Sequence, residues 1–346
     1  MGYRPHAMFI GAPDFTFQTS PYKVREVVPE GGKIIWGDGT YDLVPAEIEP
    51  DFCGLLVGGV EGGVNLEEVL DTLHGMGQKD SCYVGGTKIG LRNFRQGSHF
   101  LNLYEVDNHK ALDLPESVAV LHASSDEMRD PLSDFVRERA EEMRTPFGVS
   151  RVLRGSDAQE YQRRCRDSSD FANEKRKLLF EEIFGHGEMI ANHNHYELSG
   201  PNGAVIGCET FNEEGEVFVI TLIDGSPAYL VKGRKNLTPR KIEELGFDSR
   251  GIEGWTYDGL LNANIVPHGG GHKLIEVDGV AKVVLYPGAK VIVPRYRTKV
   301  GTTAYADMEM VFRSYRSDGI LERVRALELA DHYATLRFIY GIKVDF

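Results

Sequence analysis

The sequence lacks any apolar run long enough to cross a membrane. A membrane-spanning helix needs roughly 20 consecutive apolar residues, and no stretch of the 346-residue chain approaches that length. The first residues, Met1 to His6, do not have the pattern of a secretory signal peptide. Gly2 is not followed by the Ser or Thr that N-myristoylation requires. We therefore expect a cytoplasmic protein without a membrane partner.

Cysteine is scarce, and positive charge is not in excess. The four cysteines have no CxxC spacing, which argues against a disulfide framework and favours a reducing compartment. The formal net charge is −13, whereas a protein that binds nucleic acid by general electrostatics is normally basic. This composition disfavours such a binder, but it leaves room for a local basic groove or a bound metal ion that handles a phosphate backbone.

Internal repeats, low-complexity segments and obvious linkers are also missing from the sequence. Hydrophobic residues make up 41% and charged residues 26% of the chain, as in soluble globular proteins with an ample core. Short β-like segments alternate with glycine and proline turns, and the main helical tract covers residues 127–184. We predict an α+β fold: a single large domain, residues 1–346, of mixed β-sheets with surrounding helices.

The helical tract is rich in charged residues. Its apolar spacing predicts separate helices over residues 134–143, 156–166 and 170–180. The third of these contains the cationic cluster Lys175-Arg176-Lys177, and such a cluster lies more often on a solvated face than in a binding patch. We therefore expect these cations to be exposed.

A glycine-rich turn follows the apolar run 260–267. His268 stands before three consecutive glycines, Gly269 to Gly271, and His272 comes soon after them. Glycine reaches positive φ and lets the backbone approach another group closely. A histidine at this turn can therefore present its ring to a phosphate, a metal or a substrate. A turn that merely happens to be flanked by histidines explains this stretch, taken alone, equally well.

Several other turns and strand ends contain potential metal ligands. Asp51 and Cys53 stand two positions apart just before a glycine, and a carboxylate with a thiolate suits Zn²⁺, Mn²⁺ or Fe²⁺. His99 begins an alternating strand-like segment, and His122 ends another. For each of them the alternative is a structural residue, such as a buried free cysteine or a histidine that caps a strand.

The segment 193–197 has the pattern His-x-His-x-Glu. On a strand, His193, His195 and Glu197 project from one face, as metal ligands do in several folds. One interpretation is therefore a cupin-like site that holds a single metal ion and binds or oxidises a small molecule. That site needs a later histidine in a Pro-x-Gly strand pair, and Tyr286-Pro287-Gly288 does not supply it.

Taken in chain order, these motifs resemble the RtcB-type RNA-splicing ligases over residues 44–343. The matches are Ile48 to Gly54 with the family's Asp-x-x-Cys-Gly metal turn, shortened by one residue; Gly97-Ser98-His99-Phe100 with Gly-Asn-His-Phe; Leu121 to Ser125 with His-Ser-Gly-Ser-Arg; Asp170 to Lys175 with Ala-Asn-x-Ala-x-x-Asn-Arg; Ala191 to Asn194 with Ala-His-Asn; Ile223 to Ser226 with Pro-Gly-Ser-Met-Gly; and His268 to Gly271 with His-Gly-Ala-Gly-Arg. Each match is short, and it is their collinearity that favours the family.

The resemblance implies a GTP-dependent RNA ligase with two Mn²⁺ ions. His268 would attack the α-phosphate of GTP and carry GMP as a phosphoramidate. GMP would then pass to an RNA 3′-phosphate, and a 5′-hydroxyl would displace it. The result would be the joining of an RNA 3′-phosphate (or 2′,3′-cyclic phosphate) end to a 5′-hydroxyl end, as with tRNA halves or in the repair of cleaved RNA. A monomer is expected. In the metal site Cys53 would bridge the ions, and the remaining ligands would be Asp51, His99, His122 and His193.

The resemblance also implies which residues surround the nucleotide. Three positions differ from the family: Ser98 replaces an asparagine, Asn102 replaces the glutamate that reads guanine, and His272 replaces an arginine. We therefore expect GTP to lose its usual advantage over ATP. A relative that binds RNA or nucleotide without catalysis is a further alternative. The implied nucleotide-binding residues are Ser98, Phe100, Asn102, Ser226, Gly270, His272 and Lys343, the last of them against the guanine.

Overall fold

The structure is a computed structural model. It describes residues 7–17, 29–36, 43–46, 48–62, 64–78, 83–89, 99–107, 113–145, 148–221, 226–235, 237–250, 254–269, 272–273, 277–286, 289–296, 314–315 and 319–342.

The helices cover a modest part of these residues and vary widely in length. They are α1 (Leu66–Gln78), α2 (Asp126–Arg139), α3 (Gly155–Phe184), α4 (Pro239–Glu244), α5 (Gly254–Leu261) and α6 (Ile320–Ala326), with a 3₁₀ turn at Asp248–Arg250. Among the helices of the described residues, none combines the length and apolar character that crossing a bilayer requires.

The helical tract differs from its prediction in two places. The 30-residue α3 runs through both predicted helices 156–166 and 170–180, because buried side chains such as Tyr161, Cys165, Ala172 and Leu179 keep a helical spacing throughout. The prediction of a helix over 134–143 is wrong at its end. Ala140 takes an extended conformation after α2, and the next residues pair as a strand.

The prediction that the cationic cluster Lys175-Arg176-Lys177 is exposed is also wrong for two of the three residues. Lys175 and Arg176 are each 1% exposed, although Lys177 is exposed as predicted. Lys175 Nζ donates to the carboxylate of Glu127 at 2.8 Å and to the backbone carbonyl oxygen of Ser124 at 3.0 Å. A buried cation requires such partners, and they lie far away along the chain.

Strands form most of the fold. They are β1 (Met8–Phe17), β2 (Pro29–Ile35), β3 (Leu43–Pro45), β4 (Gly54–Gly59), β5 (Tyr83–Val84), β6 (Thr87–Lys88), β7 (Phe100–Asp107), β8 (Ser117–Ala123), β9 (Glu141–Thr145), β10 (Gly148–Arg154), β11 (Met189–Asn194), β12 (Tyr196–Leu198), β13 (Gly203–Ile206), β14 (Cys208–Thr210), β15 (Val217–Ile220), β16 (Ala228–Gly233), β17 (Ile265–Pro267), β18 (His272–Lys273), β19 (Val277–Tyr286), β20 (Ala289–Tyr296), β21 (Ser314–Tyr315) and β22 (Ala330–Ile342).

The main sheet has seven antiparallel strands in the order β11-β4-β8-β7-β22-β16-β15. Its two edge strands approach each other, and His193 Nε2 of β11 lies 3.0 Å from the carbonyl oxygen of Val217 in β15. The sheet is therefore nearly a closed barrel. Smaller sheets flank it, including β1-β2-β13-β12, β3-β10-β9 and the pair β14-β17. This mixture of antiparallel sheets and helices agrees with the α+β prediction, whereas the single-domain prediction stays a prediction.

Both faces of the main sheet are buried. On the outer face, Leu56 and Leu121 pack with Phe180 of α3, and on the inner face Leu55 packs with Val120. Side chains alternate between the faces of a strand, so His122 shares the inner face with Val120. This places a histidine at one end of the barrel interior, where β8 finishes.

Candidate metal centre

Three buried side chains converge at this end of the barrel. The ligand atoms of Cys53, His122 and His195 all lie within 4.8 Å of one another. Cys53 Sγ is 2.9 Å from His122 Nε2, which in turn is 3.1 Å from His195 Nε2. Thiolate and imidazole are the ligands that Zn²⁺ and related transition metals prefer, so the group can hold a metal ion.

The spacing of these atoms suits an ion after a small adjustment. Tetrahedral bonds of about 2.3 Å to sulfur and about 2.0 Å to nitrogen place ligand atoms roughly 3.3 to 3.6 Å apart. The two observed pairs, at 2.9 and 3.1 Å, are closer than this by a few tenths of an ångström. An outward movement of that size lies within the reach of side-chain torsions, so the three residues fit a metal.

The backbone around Cys53 explains how the thiol reaches the centre. Phe52 has a φ of 55°, a left-handed conformation that turns the chain sharply before β4. The amide N–H of Cys53 donates to Asp51 Oδ1 at 3.0 Å, and its carbonyl oxygen accepts the amide N–H of His195 at 2.8 Å. These bonds fix Cys53 and His195 side by side. They also show where Asp51 lies, with one carboxylate oxygen holding the turn.

His99 extends the centre beyond the group of three. Its Nε2 lies 3.4 Å from Cys53 Sγ, and its ring meets the ring of His122 edge-on with 5.3 Å between centroids. The sulfur of Cys53 therefore contacts two imidazoles, one directly before β7 and one at the end of β8. Phe100 packs against His122 as well, with 5.2 Å between ring centroids.

Burial sets the protonation of the ligands in the absence of an ion. Burial raises the pKa of the Cys53 thiol well above its ordinary value, and the nearby carboxylate of Asp51 raises it further. Burial lowers the pKa of His195 well below its ordinary value, and the charges of His268 and His122 add to this. A metal ion consequently meets a neutral imidazole at His195, and it must displace a proton from the thiol of Cys53.

A second arrangement adjoins the metal group. The ring of His268 packs on the ring of His195, with 4.6 Å between centroids. His268 Nδ1 lies 3.2 Å from Asp14 Oδ2, and the same oxygen accepts the amide N–H of Gly269 at 3.0 Å. Burial alone lowers the pKa of His268, but the hydrogen bond and the charge of Asp14 outweigh it, so the pKa is raised overall.

The turn after His268 requires glycine at its first position. Gly269 has a φ of 88°, and a Cβ atom there would collide with the carbonyl oxygen of Thr221. The amide N–H of Thr221 also donates to the carbonyl oxygen of His268 at 3.0 Å. The predicted close approach of this glycine turn to another segment is thus present at Gly269, and its partner is the end of β15.

No family model matches the chain, and no curated protein matches it. The functional interpretation therefore depends on the residues and their geometry.

The structure brings together Cys53, His99, Phe100, His122 and His268, and Asp51 contacts the backbone of Cys53. His193 is not in the converging group. Its ring packs on Phe218 and its Nε2 meets the carbonyl oxygen of Val217. Glu197 lies elsewhere too, since it accepts from Ser169 Oγ at 2.5 Å and from Asn194 Nδ2 at 3.0 Å. The residues of the His-x-His-x-Glu pattern consequently do not share one site.

The predicted nucleotide-binding residues are placed unevenly. Asn102 is 1% exposed and donates from Nδ2 to the hydroxyl of Tyr104 at 3.1 Å, within the main sheet. Ser226 is half-buried just before β16. Ser98, Gly270 and Lys343 lie outside the described residues, and of His272 the backbone alone is described, in β18. Their roles stay predictions.

Two contributors, Asp14 and His195, were not among the site residues implied by the resemblance, and His195 was predicted as a ligand only in the cupin-like interpretation. Asp14 lies where the register between β1 and β2 shifts, between Gly11 and Thr16, and such a bulge re-aims a side chain. No local sequence signal marks it. The His-x-His pattern did mark His195. On a strand, however, His193 and His195 project from the same face, so the pattern could not show which of them is the ligand.

Proposed function

We propose that the protein is a metal-dependent RNA ligase that joins an RNA 3′-phosphate (or 2′,3′-cyclic phosphate) end to a 5′-hydroxyl end through a guanylylated His268. The observation that carries this proposal is the contact between His268, hydrogen-bonded to buried Asp14, and His195 of the metal-binding group. A nucleophile beside a cation site is what phosphoryl transfer needs. The collinear motifs supply the reaction class.

Asp14 selects the reactive nitrogen of His268. When the carboxylate accepts the proton on Nδ1, the lone pair of a neutral imidazole lies on Nε2. Nε2 would form a bond to the α-phosphorus of GTP, and the bond to the pyrophosphate oxygen would break, with pyrophosphate taking the electron pair. An oxygen of the RNA 3′-phosphate would then attack the same phosphorus and return the electron pair to Nε2.

The final step would join the RNA ends. The 5′-hydroxyl oxygen would attack the activated 3′-phosphate, GMP would leave with the electron pair, and the hydroxyl proton would pass to a base. Two Mn²⁺ ions, the metal implied by the resemblance, would neutralise the phosphate oxygens as charge moves between them. The residues that would hold the ions are Asp51, Cys53, His99, His122 and His195.

The position of the Cys53 sulfur supports a shared thiolate. His99 is not in the converging group of three, yet its Nε2 lies 3.4 Å from the sulfur. The sulfur is therefore shared by His99 on one side and by His122 and His195 on the other, so it would be available to hold more than one ion. If both ions depend on this sulfur, Cys53→Ala should lose both of them, whereas Cys165→Ala, at a buried cysteine of α3 outside the converging group, should keep them.

A site for one ion is the second candidate. Three protein ligands with an open fourth position are typical of mononuclear catalytic centres, and Cys53, His122 and His195 supply three. Such a protein would act on a small molecule, as the cupin-like interpretation has it. Metal content separates the two candidates: about two ions per chain support the ligase, and one supports the mononuclear site.

The test of the proposed function is an RNA-joining assay. Purified protein is incubated with Mn²⁺, GTP and two RNAs, one ending in a 3′-phosphate and the other beginning with a 5′-hydroxyl. We expect joined product that disappears when the metal or the nucleotide is omitted. Because Asn102 replaces the family's guanine-reading glutamate, ATP should support joining within about tenfold of GTP instead of being rejected by roughly 10⁴-fold. No joining with metal-loaded protein contradicts the proposal.

A further inference from the structure

Arg176 is a buried cation in the middle of α3, with 1% of its surface exposed. A guanidinium has five N–H donors in a rigid planar arrangement, and here all of them are used. The acceptors are neutral oxygens: Asn192 Oδ1 at 2.8 Å, the backbone carbonyls of Phe52 and Ala123 at 3.3 Å each, and Oδ1 of both Asn173 and Asn194 at 2.5 Å.

These acceptors come from the segments that contain the metal ligands. Phe52 precedes Cys53, Ala123 follows His122, and Asn194 precedes His195. Cys53 lies directly before β4, His122 lies at the end of β8, and His195 lies directly after β11. A single planar group therefore contacts every chain segment of the converging group, one residue away from each ligand.

Gly54 makes room for this arrangement. A Cβ atom on Gly54 would lie 2.4 Å from the carbonyl oxygen of His193 in β11 and 2.7 Å from Arg176 Cζ, and both distances are shorter than real Cβ contacts. The glycine of the metal turn thus lets the guanidinium lie against the backbone directly after Cys53. Gly58, four residues along the same strand, makes room for the ring of Phe180 from the same helix in a similar way.

An ordinary structural role explains Arg176 poorly. Burying a guanidinium is costly, and its five hydrogen bonds go to amide and carbonyl oxygens, none of them a carboxylate. Lys175 beside it shows the usual solution, an ion pair with Glu127. The acceptors of Arg176 lie where a small displacement would separate the metal ligands.

We propose that Arg176 is the positioning residue of the metal centre: its guanidinium holds the strand ends that contain Cys53, His122 and His195 in register, so that their ligand atoms converge before an ion arrives. The inference rests on the metal centre of the proposed function. It does not depend on the RNA chemistry, because a mononuclear site would need the same convergence.

The test is a Co²⁺ titration of the full chain, with affinity measured by chelator competition and thiolate coordination followed by the charge-transfer absorption of the Co²⁺–sulfur bond. Arg176→Lys keeps the charge but loses the planar set of donors. We expect it to lower Co²⁺ affinity by about 10- to 100-fold, the usual effect of removing a group that orients ligands, and to weaken the charge-transfer band. Lys175→Met is the matched control on the same helix, and it should bind as wild type does.

A second pair of variants decides the matter if Arg176→Lys does not fold. Gly54→Ala crowds the guanidinium and also the carbonyl oxygen of His193 in β11, whereas Gly58→Ala crowds the ring of Phe180. We expect Gly54→Ala to lower Co²⁺ affinity at least tenfold more than Gly58→Ala does. Wild-type affinity and spectrum in folded Arg176→Lys, or equal affinities in the two glycine variants, overturn this inference alone. A wild-type protein that binds no Co²⁺ overturns the metal centre and the inference together.

Discussion

Asp14 determines which nitrogen of His268 holds a proton. The carboxylate is 0% exposed, and its Oδ2 accepts from both His268 and the backbone of Gly269. Its other oxygen, Oδ1, has no hydrogen-bond partner among the described residues. An unsatisfied buried oxygen costs free energy, and such local costs collect at functional sites. If His268 is the nucleophile, as proposed, Asp14 is the residue that positions its ring.

Replacing this carboxylate tests that role. Asp14→Asn keeps the size of the side chain, but an amide oxygen is a weaker acceptor and the amide nitrogen can place the wrong tautomer at Nδ1. We expect the rate of nucleotide transfer to His268 to fall by about 10² to 10⁴, as when a carboxylate that orients a histidine is lost. The metal content should not change. Single-turnover kinetics measure the rate, with Asp113→Asn at the surface as the control, and a wild-type rate would contradict the role.

The corner between β11 and β12 explains why His195 and not His193 joins the metal group. Strand β11 ends at Asn194, and the amide N–H of His195 turns toward the carbonyl oxygen of Cys53. The strict alternation that a strand supplies therefore stops between the two histidines. His193 remains in β11, where its ring links the edge strands of the nearly closed barrel.

These positions predict opposite effects for two alanine variants. His195→Ala should lower metal affinity by at least about tenfold, since it removes a ligand. His193→Ala should instead lower the midpoint of thermal unfolding, because it breaks the side-chain link between β11 and β15, while metal affinity stays within a few-fold of wild type. Metal titration and calorimetry on both variants make the comparison. Metal loss in His193→Ala alone would assign the ligand to His193, as the family resemblance implies.

Strand β14 contains a buried acid, Glu209, that is 1% exposed and has no hydrogen-bond partner for either carboxylate oxygen among the described residues. Burial raises its pKa well above the ordinary value, although the charge of Arg176 offsets part of this effect. The folded state then binds a proton that the unfolded state has released. Glu209 therefore makes its full contribution to the free energy of unfolding below its unfolded pKa. This contribution is lost as the pH rises from there through the folded pKa.

Glu209→Gln should remove this pH dependence. In wild type we expect the free energy of unfolding to contain a part that decreases between pH 4.5 and neutral pH, because the raised pKa acts in that window. The variant, which is neutral throughout, should show a smaller decrease. Denaturant unfolding at several pH values measures it, with the exposed Glu214→Gln as the control. An identical pH profile in Glu209→Gln and wild type would mean that Glu209 is ionised in the folded protein.

The site residues that could be predicted from the sequence are those that stand in local patterns. Cys53, His99, His122 and His268 stand at turns or strand ends, where functional residues collect, and the structure brings them together. Asp14 and Arg176 could not be found in this way. Asp14 meets His268 across 254 residues, and Arg176 is buried because oxygens from three other segments accept its hydrogen bonds. Such partners are fixed by the tertiary fold and leave no local pattern.

The central claim is that His268 carries the nucleotide, and the most direct measurement is to map a covalent adduct. Metal-loaded protein is incubated with Mn²⁺ and GTP labelled at the α-phosphate, and the labelled peptide is identified by mass spectrometry. We expect a label on His268 that survives base and is lost in acid, as a phosphorus–nitrogen bond would be. It should vanish in His268→Ala with the metal retained, and it should persist in His272→Ala. A label on His272, or no label on metal-loaded wild-type protein, would contradict the account.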